Sequence, residues 1–185
     1  MAAALSCAFR CNHYQRKCKL VTPCCNKIYT CRLCHDEQES HTLNRKAVKE
    51  VVCMVCGERQ DVRYNCYSCE VKFGKYYCLE CNLFDDEDKG QFHCEGCGIC
   101  RVGGGDNFFH CDVCNMCLSI GMLGNHKCVE NRSHTDCPIC MEDMHSSRSN
   151  LHIPKCGHLL HETCFQNMDK AGHKLCPICK DSFKV

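Results

Sequence analysis

Aliphatic and aromatic bulk is scarce in this 185-residue chain. Leu, Ile, Val and Phe together make up about a fifth of it, close to the composition at which a chain of this size struggles to build a core. An excess of charge is missing too: 23 basic residues face 22 acidic ones, for a net charge of +1. A broad nucleic-acid surface needs a basic excess, so that class is disfavoured. The N-terminus, MAAALSCAFRCNHYQRK, has no apolar region of signal-peptide length, and its apolar stretch is far too short to span a bilayer. No long Gly/Ser/Pro linker and no coiled-coil heptad is visible.

What is abundant is cysteine: 26 Cys, accompanied by 12 His. Such usage signals a cross-linked or metal-bound scaffold. Disulfides need an oxidising compartment, and without a secretory signal the expectation is an intracellular chain with reduced thiols and bound zinc. The histidines agree, because many lie one to six residues from a cysteine, which a disulfide framework has no reason to prefer. A structural zinc contributes about 10–16 kcal/mol to the folding of a small finger, against about 5–15 kcal/mol net stability for a whole domain. Metal is expected to replace the missing apolar burial.

The ligand-rich stretches run from Cys11 to Cys69, Cys78 to Cys128 and Cys137 to Cys179. In the second, His93-Cys94-x2-Cys97-x2-Cys100 recurs 17 residues later as His110-Cys111-x2-Cys114-x2-Cys117. This repeat suggests stacked turns that share metal sites between neighbours. Gly103-Gly104-Gly105 can turn the chain back between two ligand clusters. The acidic run Asp85-Asp86-Glu87-Asp88 reads as a solvated loop. Short strands are expected at Lys75–Tyr77, Phe92–His93, Phe108–His110 and Leu151–Pro154, and the best helix at Glu162–Lys170. Thr42–Val52 fits either a short helix or an irregular connector.

The third stretch reads Cys137-x2-Cys140-x15-Cys156-x-His158-x2-His161-x2-Cys164-x11-Cys176-x2-Cys179. Eight ligands in this order resemble a RING-H2 finger. The resemblance implies alternate pairing in a cross-brace: Cys137, Cys140, His161 and Cys164 on one zinc, Cys156, His158, Cys176 and Cys179 on the other. A PHD finger has a single His in its ligand order and usually a Trp, and this chain has no Trp. The resemblance also places Ile139, Pro177 and Ile178 in the apolar groove that such domains present to a ubiquitin-conjugating enzyme. Lys180 follows the last ligand, where many RING ligases carry a cation that bridges the conjugating enzyme and ubiquitin.

The first stretch carries Cys11-Asn12-His13-Tyr14, Pro23-Cys24-Cys25, Cys31-x2-Cys34-His35-Asp36, His41 and Cys53-x2-Cys56-x9-Cys66-x2-Cys69. These elements resemble the CHY-type zinc finger. The resemblance favours twelve ligands, Cys11, His13, Cys24, Cys25, Cys31, Cys34, His35, His41, Cys53, Cys56, Cys66 and Cys69, and leaves Cys18 a spare thiol. Cys7 is the other expected non-ligand. Tyr14 and Asp36 read as structural or ligand-supporting groups. The second stretch offers Cys78, Cys81, His93, Cys94, Cys97, Cys100, His110, Cys111, Cys114, Cys117, His126 and Cys128, and resembles the CTCHY-type finger through Phe73-Gly74-x-Tyr76-Tyr77-Cys78 and Leu83-Phe84-Asp85. Spacing does not apportion its ligands to individual ions. An iron–sulfur reading is weak, because Cys100 is followed by Arg101-Val102 where the bacterial ferredoxin run has Pro. The scheme uses 24 Cys and eight His, enough for eight zinc ions, and leaves His134, His145, His152 and His173 as surface or packing residues.

CHY, CTCHY and RING-H2 in this order are similar to the RING finger and CHY zinc finger domain-containing ubiquitin ligases. That group commonly continues past the RING into a C-terminal zinc ribbon, which is absent from this sequence. The expected fold is a small zinc-dominated, irregular α+β chain of tandem zinc-finger modules ending in a cross-brace RING-H2. Its modules would be CHY at 6–72, CTCHY at 73–132 and RING at 133–182. The resemblance implies a RING-type ubiquitin ligase without a covalent intermediate, whose CHY and CTCHY modules recruit substrates such as transcription regulators for degradation. It implies residence in nucleus and cytoplasm, although no clear import cluster is visible. The rivals are a non-enzymatic zinc scaffold, which the apolar Ile139/Pro177 pair disfavours, and a nucleic-acid binder, which the charge disfavours.

Overall fold

A computed structural model describes residues 11–132, 134–147 and 149–183. Cys7 lies outside them. The chain divides into two compact units, one ending at Gln91 and one beginning at Phe92. The division falls inside the 73–132 stretch, so Cys78 and Cys81 belong to the first unit.

The first unit is organised by β1 (Cys18–Val21), β2 (Ile28–Tyr29), β3 (Glu50–Cys53) and β4 (Arg59–Asp61), an antiparallel sheet in the order β2-β1-β3-β4. Alternation explains it: Val51 and Cys53 point inward from β3 while Glu50 and Val52 are half-buried. Leu20 faces Val51, and Val51 faces Gln60. A one-turn helix, α1 (Arg32–Asp36), follows β2. A second hairpin joins β5 (Tyr76–Cys78) to β6 (Leu83–Asp85). Leu20, Leu43, Val48, Val51, Phe73 and Phe84 form the core, with the Phe73 and Phe84 rings edge to face at 5.8 Å. Cys18 packs within this core.

Two expectations change here. Thr42–Val52 holds neither a regular helix nor a pure connector: a 3-10 turn at Arg45–Ala47 leads directly into β3. The acidic run is not a solvated loop. Asp85 is fully buried and accepts from Gln15 N (3.1 Å), Gln91 Nε2 (3.1 Å) and Lys89 Nζ (2.7 Å). Asp86 pairs with Lys17 at 2.8 Å and accepts from Lys75 N. Donors from both sides of the run meet it, and only Asp88 stays fully exposed.

The second unit opens with two hairpins of the same design. β7 (Phe92–Cys94) pairs with β8 (Ile99–Arg101), and β9 (Phe108–Cys111) with β10 (Met116–Ser119). His93 faces Cys100 as His110 faces Cys117, so the 17-residue repeat is a repeat of register. The glycine run turns the chain between them, with Gly103 and Gly104 at φ +103° and +85°, and the rings of Phe92 and Phe108 stack at 5.8 Å. Further on, β11 (Leu151–His152) pairs with β12 (Leu160–His161), and α2 (Glu162–Lys170) follows over the residues expected. The apolar face of α2 turns Phe165 and Met168 toward Leu159, Leu160, Met144 and Met116. Phe165 is held between His152, stacked at 3.6 Å, and Phe183, edge-on at 5.2 Å.

One local device recurs in both units. The residue four places after Cys53, Cys66, Cys78, Cys94, Cys111, Cys137 and Cys176 has a positive φ, and these residues are Gly57, Glu70, Asn82, Gly98, Asn115, Met141 and Lys180. Each closes a tight turn. Gly57 N donates to Cys53 O (3.0 Å), Met141 N to Cys137 O (2.8 Å) and Lys180 N to Cys176 O (2.9 Å). Only two of the seven are glycines, so five side chains carry the cost of the left-handed region, about 1–2 kcal/mol each before compensation. Among the described residues, no helix is long and apolar enough to cross a membrane.

Candidate metal centres

Each turn aims two sulfurs at one point. Backbone N–H groups inside the turn converge on the first sulfur: Val55 N on Cys53 (3.4 Å), Cys97 N on Cys94 (3.4 Å) and Cys114 N on Cys111 (3.5 Å). Such donors stabilise a thiolate. Cys31 accepts in the same way from Cys34 N (3.4 Å), and there the contact also caps α1.

Zinc holds sulfur at about 2.3 Å and imidazole nitrogen at about 2.0–2.1 Å in a tetrahedron, which separates ligands by about 3.8 Å (S to S) and about 3.6 Å (N to S). The clusters have these dimensions. Cys11 Sγ is 3.7 Å from Cys31, Cys31 is 3.5 Å from Cys34, and His13 Nδ1 is 3.6 Å from both Cys31 and Cys34. Cys24, Cys25, His35 and His41 converge, with His35 Nε2 3.3 Å from Cys24. Cys53, Cys56, Cys66 and Cys69 form a four-sulfur site, with separations of 3.7 Å (Cys53 to Cys69) and 3.5 Å (Cys56 to Cys66). Sulfur separations this large exclude disulfides, which need about 2.05 Å. Cys78 closes β5 and Cys81 lies buried in the turn that follows.

In the second unit, Cys94 and Cys97 from the first hairpin's turn meet His110 and Cys117 from the second hairpin. His110 Nδ1 lies 3.5 and 3.4 Å from the two sulfurs, and Cys97 is 3.5 Å from Cys117. Gly96 leaves room for that imidazole, since a Cβ there would stand 2.4 Å from it. The second turn repeats the arrangement: His126 Nε2 lies 3.3 Å from Cys111 and 3.2 Å from Cys128, with Cys114 beside them. His93 Nδ1 is 3.8 Å from Cys100. Toward the C-terminus, Cys140 stands 3.2 Å from His161 Nδ1, with Cys137 and Cys164 alongside. Cys176 stands 3.7 Å from His158 Nδ1, with Cys156 and Cys179. The two sets interleave along the chain.

Several ligand histidines have their second nitrogen fixed. His35 Nδ1 meets Asp36 Oδ1 at 2.8 Å, His13 Nε2 meets Glu37 at 3.0 Å, and His126 Nδ1 meets Met122 O at 3.0 Å. Partners of this kind set ring orientation and ligand basicity. Asp36 was legible from its place beside His35; Glu37 and Met122 O carried no signal of spacing.

The thiols are already biased toward ionisation in pairs. Hydrogen bonding from Cys117 draws the Cys97 thiol down to about 4, against the pull of burial, and the Arg101 guanidinium, 3.7 Å away, assists. Cys117 is pushed up by the same bond. Burial pushes the Cys18 thiol up to about 12, and burial likewise pushes up the thiol of Cys53. A divalent cation removes the competition within each cluster, because a coordinating thiol is deprotonated outright. The donor sets fit zinc, and each is closed by four protein ligands, so the metal supplies structure.

The four residues read as a conjugating-enzyme face sit on two of these turns, Ile139 on the one that starts at Cys137 and Pro177, Ile178 and Lys180 on the one that starts at Cys176. Ile139 is 43% exposed and Ile178 51%, while Pro177 is half-buried. Lys180 is exposed and its ammonium donates to Pro177 O at 3.1 Å. Three buried or half-buried arginines, Arg16, Arg101 and Arg132, were not singled out from the sequence. Arg101 follows a ligand directly, and the other two have no local signature.

Closed sets of four Cys and His donors, carried on turns and ending in an interleaved pair, define a zinc-finger protein of RING type. Comparison with known families agrees: the CHY zinc finger matches residues 11–76 and the Ring finger domain residues 135–180. Over 174 residues the chain is 47% identical to E3 ubiquitin-protein ligase SRFP1 of Oryza sativa subsp. japonica, covering 92% of this chain and 67% of that protein. It is 42% identical to E3 ubiquitin-protein ligase RZFP34 of Arabidopsis thaliana over 184 residues, 94% of this chain and 63% of that protein. It is 44% identical over 179 residues to zinc finger protein BRUTUS of Arabidopsis thaliana, 94% of this chain but 14% of that protein. The chain belongs to this family of CHY zinc finger and RING finger proteins, and spans about two thirds or less of the length of these relatives.

Proposed function

We propose that the chain acts as a RING-type E3 ubiquitin-protein ligase. The observation that carries this reading is the C-terminal interleaved pair of donor sets, which leaves apolar Ile139 and Ile178 exposed on rigid turns with Pro177 between ligands. These residues bind a ubiquitin-charged conjugating enzyme, and Lys180 lies beside its ubiquitin. The chain forms no covalent intermediate. It accelerates attack by a substrate lysine through proximity and a restrained thioester. Eight structural zincs occupy the full set of 32 donors. The CHY segment and the one after it recruit protein substrates, transcription regulators among them, for proteasomal degradation in nucleus and cytoplasm.

The test is single-turnover discharge of ubiquitin from a panel of charged conjugating enzymes, with Ile139→Ala beside the wild type. Ile139 has no ligand atom, so the variant keeps its zinc. Discharge lost in Ile139→Ala is the expected result. Equal discharge by both proteins removes the assigned face, and no discharge by zinc-replete wild type across the panel removes the ligase reading.

A further inference from the structure

Arg132 is out of place for a surface arginine. It is only 5% exposed. Its Nη2 donates to Lys127 O at 2.9 Å, while Nε and Nη1 are buried with no hydrogen-bond partner among the described residues. Lys127 stands between the ligands His126 and Cys128. On its other side the guanidinium packs against Gly157, where an added Cβ would come within 2.5 Å of Nη2. Gly157 stands between the ligands Cys156 and His158. The one side chain therefore abuts the middle residue of a ligand pair in two different donor sets.

Charge explains why a guanidinium belongs there. A zinc with three thiolates and one neutral imidazole carries a net charge of −1. Both sets, Cys111/Cys114/His126/Cys128 and Cys156/His158/Cys176/Cys179, have that composition. Burial opposes the Arg132 charge, and the sulfurs of Cys114, Cys128, Cys156 and Cys111 support it. Buried charge is tolerated only when paired. Arg16 in the first unit is also buried, 1% exposed, with Nε and Nη1 lacking a hydrogen-bond partner among the described residues, but its guanidinium lies over the rings of Tyr14 and Phe84, at 5.0 and 6.0 Å.

We propose that Arg132 is a positioning residue, the shared counter-ion that locks the second donor set of the RING to the last donor set of the segment before it. Through Cys176 and Cys179 it holds the turn that carries Pro177 and Ile178. Ile178 and Arg132 line one cavity of about 190 Å³ together with Val129, Met144 and Leu159. The consequence for the conjugating-enzyme face rests on the ligase reading above; the lock between donor sets does not.

The experiment uses the zinc-loaded chain, treated with a chelator and a thiol-alkylating reagent, with each cysteine followed by mass spectrometry. In Arg132→Met, Cys111, Cys114, Cys128, Cys156, Cys176 and Cys179 should all become reactive about tenfold faster or more, the usual scale for losing a supporting group around a metal. Cys53, Cys56, Cys66 and Cys69 should keep their wild-type rates. Arg132→Lys, which keeps the charge, should fall between. Arg132→Gln, which keeps a donor toward Lys127 O and removes the charge, should reproduce the pattern and carries the test if Arg132→Met does not fold. In ubiquitin discharge, Arg132→Met should raise the conjugating-enzyme concentration for half-maximal rate and leave the saturated rate within about twofold. Unchanged alkylation, or acceleration at only one of the two sets or evenly over all sites, overturns the lock. Absence of discharge by the wild type counts against the ligase reading, and the alkylation pattern still decides the role of Arg132.

Discussion

Removing the carboxylate of Asp36 should loosen one metal site in the first unit and leave its neighbours intact. Asp36 Oδ1 receives two groups, His35 Nδ1 at 2.8 Å and Leu43 N at 2.7 Å, and Oδ2 faces Arg32 at 3.4 Å. His35 is fully buried and Leu43 nearly so, so water does not replace the lost acceptor. In Asp36→Ala the imidazole loses the group that fixes its orientation. This costs about 10–100-fold in metal affinity at such positions, or about 1.4–2.7 kcal/mol. The stranded Leu43 N–H adds about 1–3 kcal/mol to the loss of folding stability. Asp36→Asn can keep an oxygen toward both donors and loses only the 3.4 Å contact from half-buried Arg32, so its effect should be markedly smaller. The assay is zinc competition with a chromogenic chelator, combined with site-resolved alkylation. Cys24 and Cys25 should react early, while Cys53, Cys56, Cys66 and Cys69 keep their wild-type rates. If Cys24 and Cys25 are no more reactive in Asp36→Ala than in the wild type, the role given to the carboxylate is wrong.

Other outcomes follow from the packing and the turns. Phe84→Ala, in the centre of the first core, should cost about 3–5 kcal/mol in denaturant unfolding; a loss below 1 kcal/mol would mean that metal alone holds this unit. Glu70→Gly relieves a left-handed residue on an exposed turn and should stabilise by about 0.5–1 kcal/mol; a destabilised variant would contradict the strain assigned there. Cys18 should resist alkylation in the folded chain at neutral pH, and early labelling would refute its burial. Its thiol pKa is raised from 9.0 to about 12 on folding. The folded state holds that proton more tightly, so its contribution is complete below pH 9 and is lost as pH climbs from about 9 to 12. A Cys18→Ala variant should remove that part of the alkaline pH dependence.

The sequence was most legible where chemistry is local. A Cys-x-x-Cys turn declares itself in four residues, and so does the helix Glu162–Lys170 in the nine that follow His161. The strands around Tyr76, Phe92, Phe108 and Leu151 were legible because aromatic and aliphatic residues flank ligands there. Long-range pairing was not. Nothing near Cys18–Val21 announces that it lies between β2 and β3, because its partners come from residues 28–29 and 50–53. Asp85 looked solvated for the same reason: Gln15, its backbone donor, lies 70 residues away. The partition of ligands in the second unit was closed to spacing, since His110 serves the turn before its own hairpin. Arg132 had no local pattern at all, its meaning arising only where two donor sets meet.

The hand-over of ligands between hairpins also limits how this chain can be divided. The turn at Cys94 and Cys97 borrows His110 and Cys117; the turn at Cys111 and Cys114 borrows His126 and Cys128. Any cut between residues 94 and 128 therefore leaves at least one set of donors incomplete on both pieces. A protease nick in the glycine run at 103–105 would leave Cys94 and Cys97 on one piece and His110 and Cys117 on the other. The same holds for fragments made for expression: the stretch behaves like links of a chain, in which each link is closed only by the next.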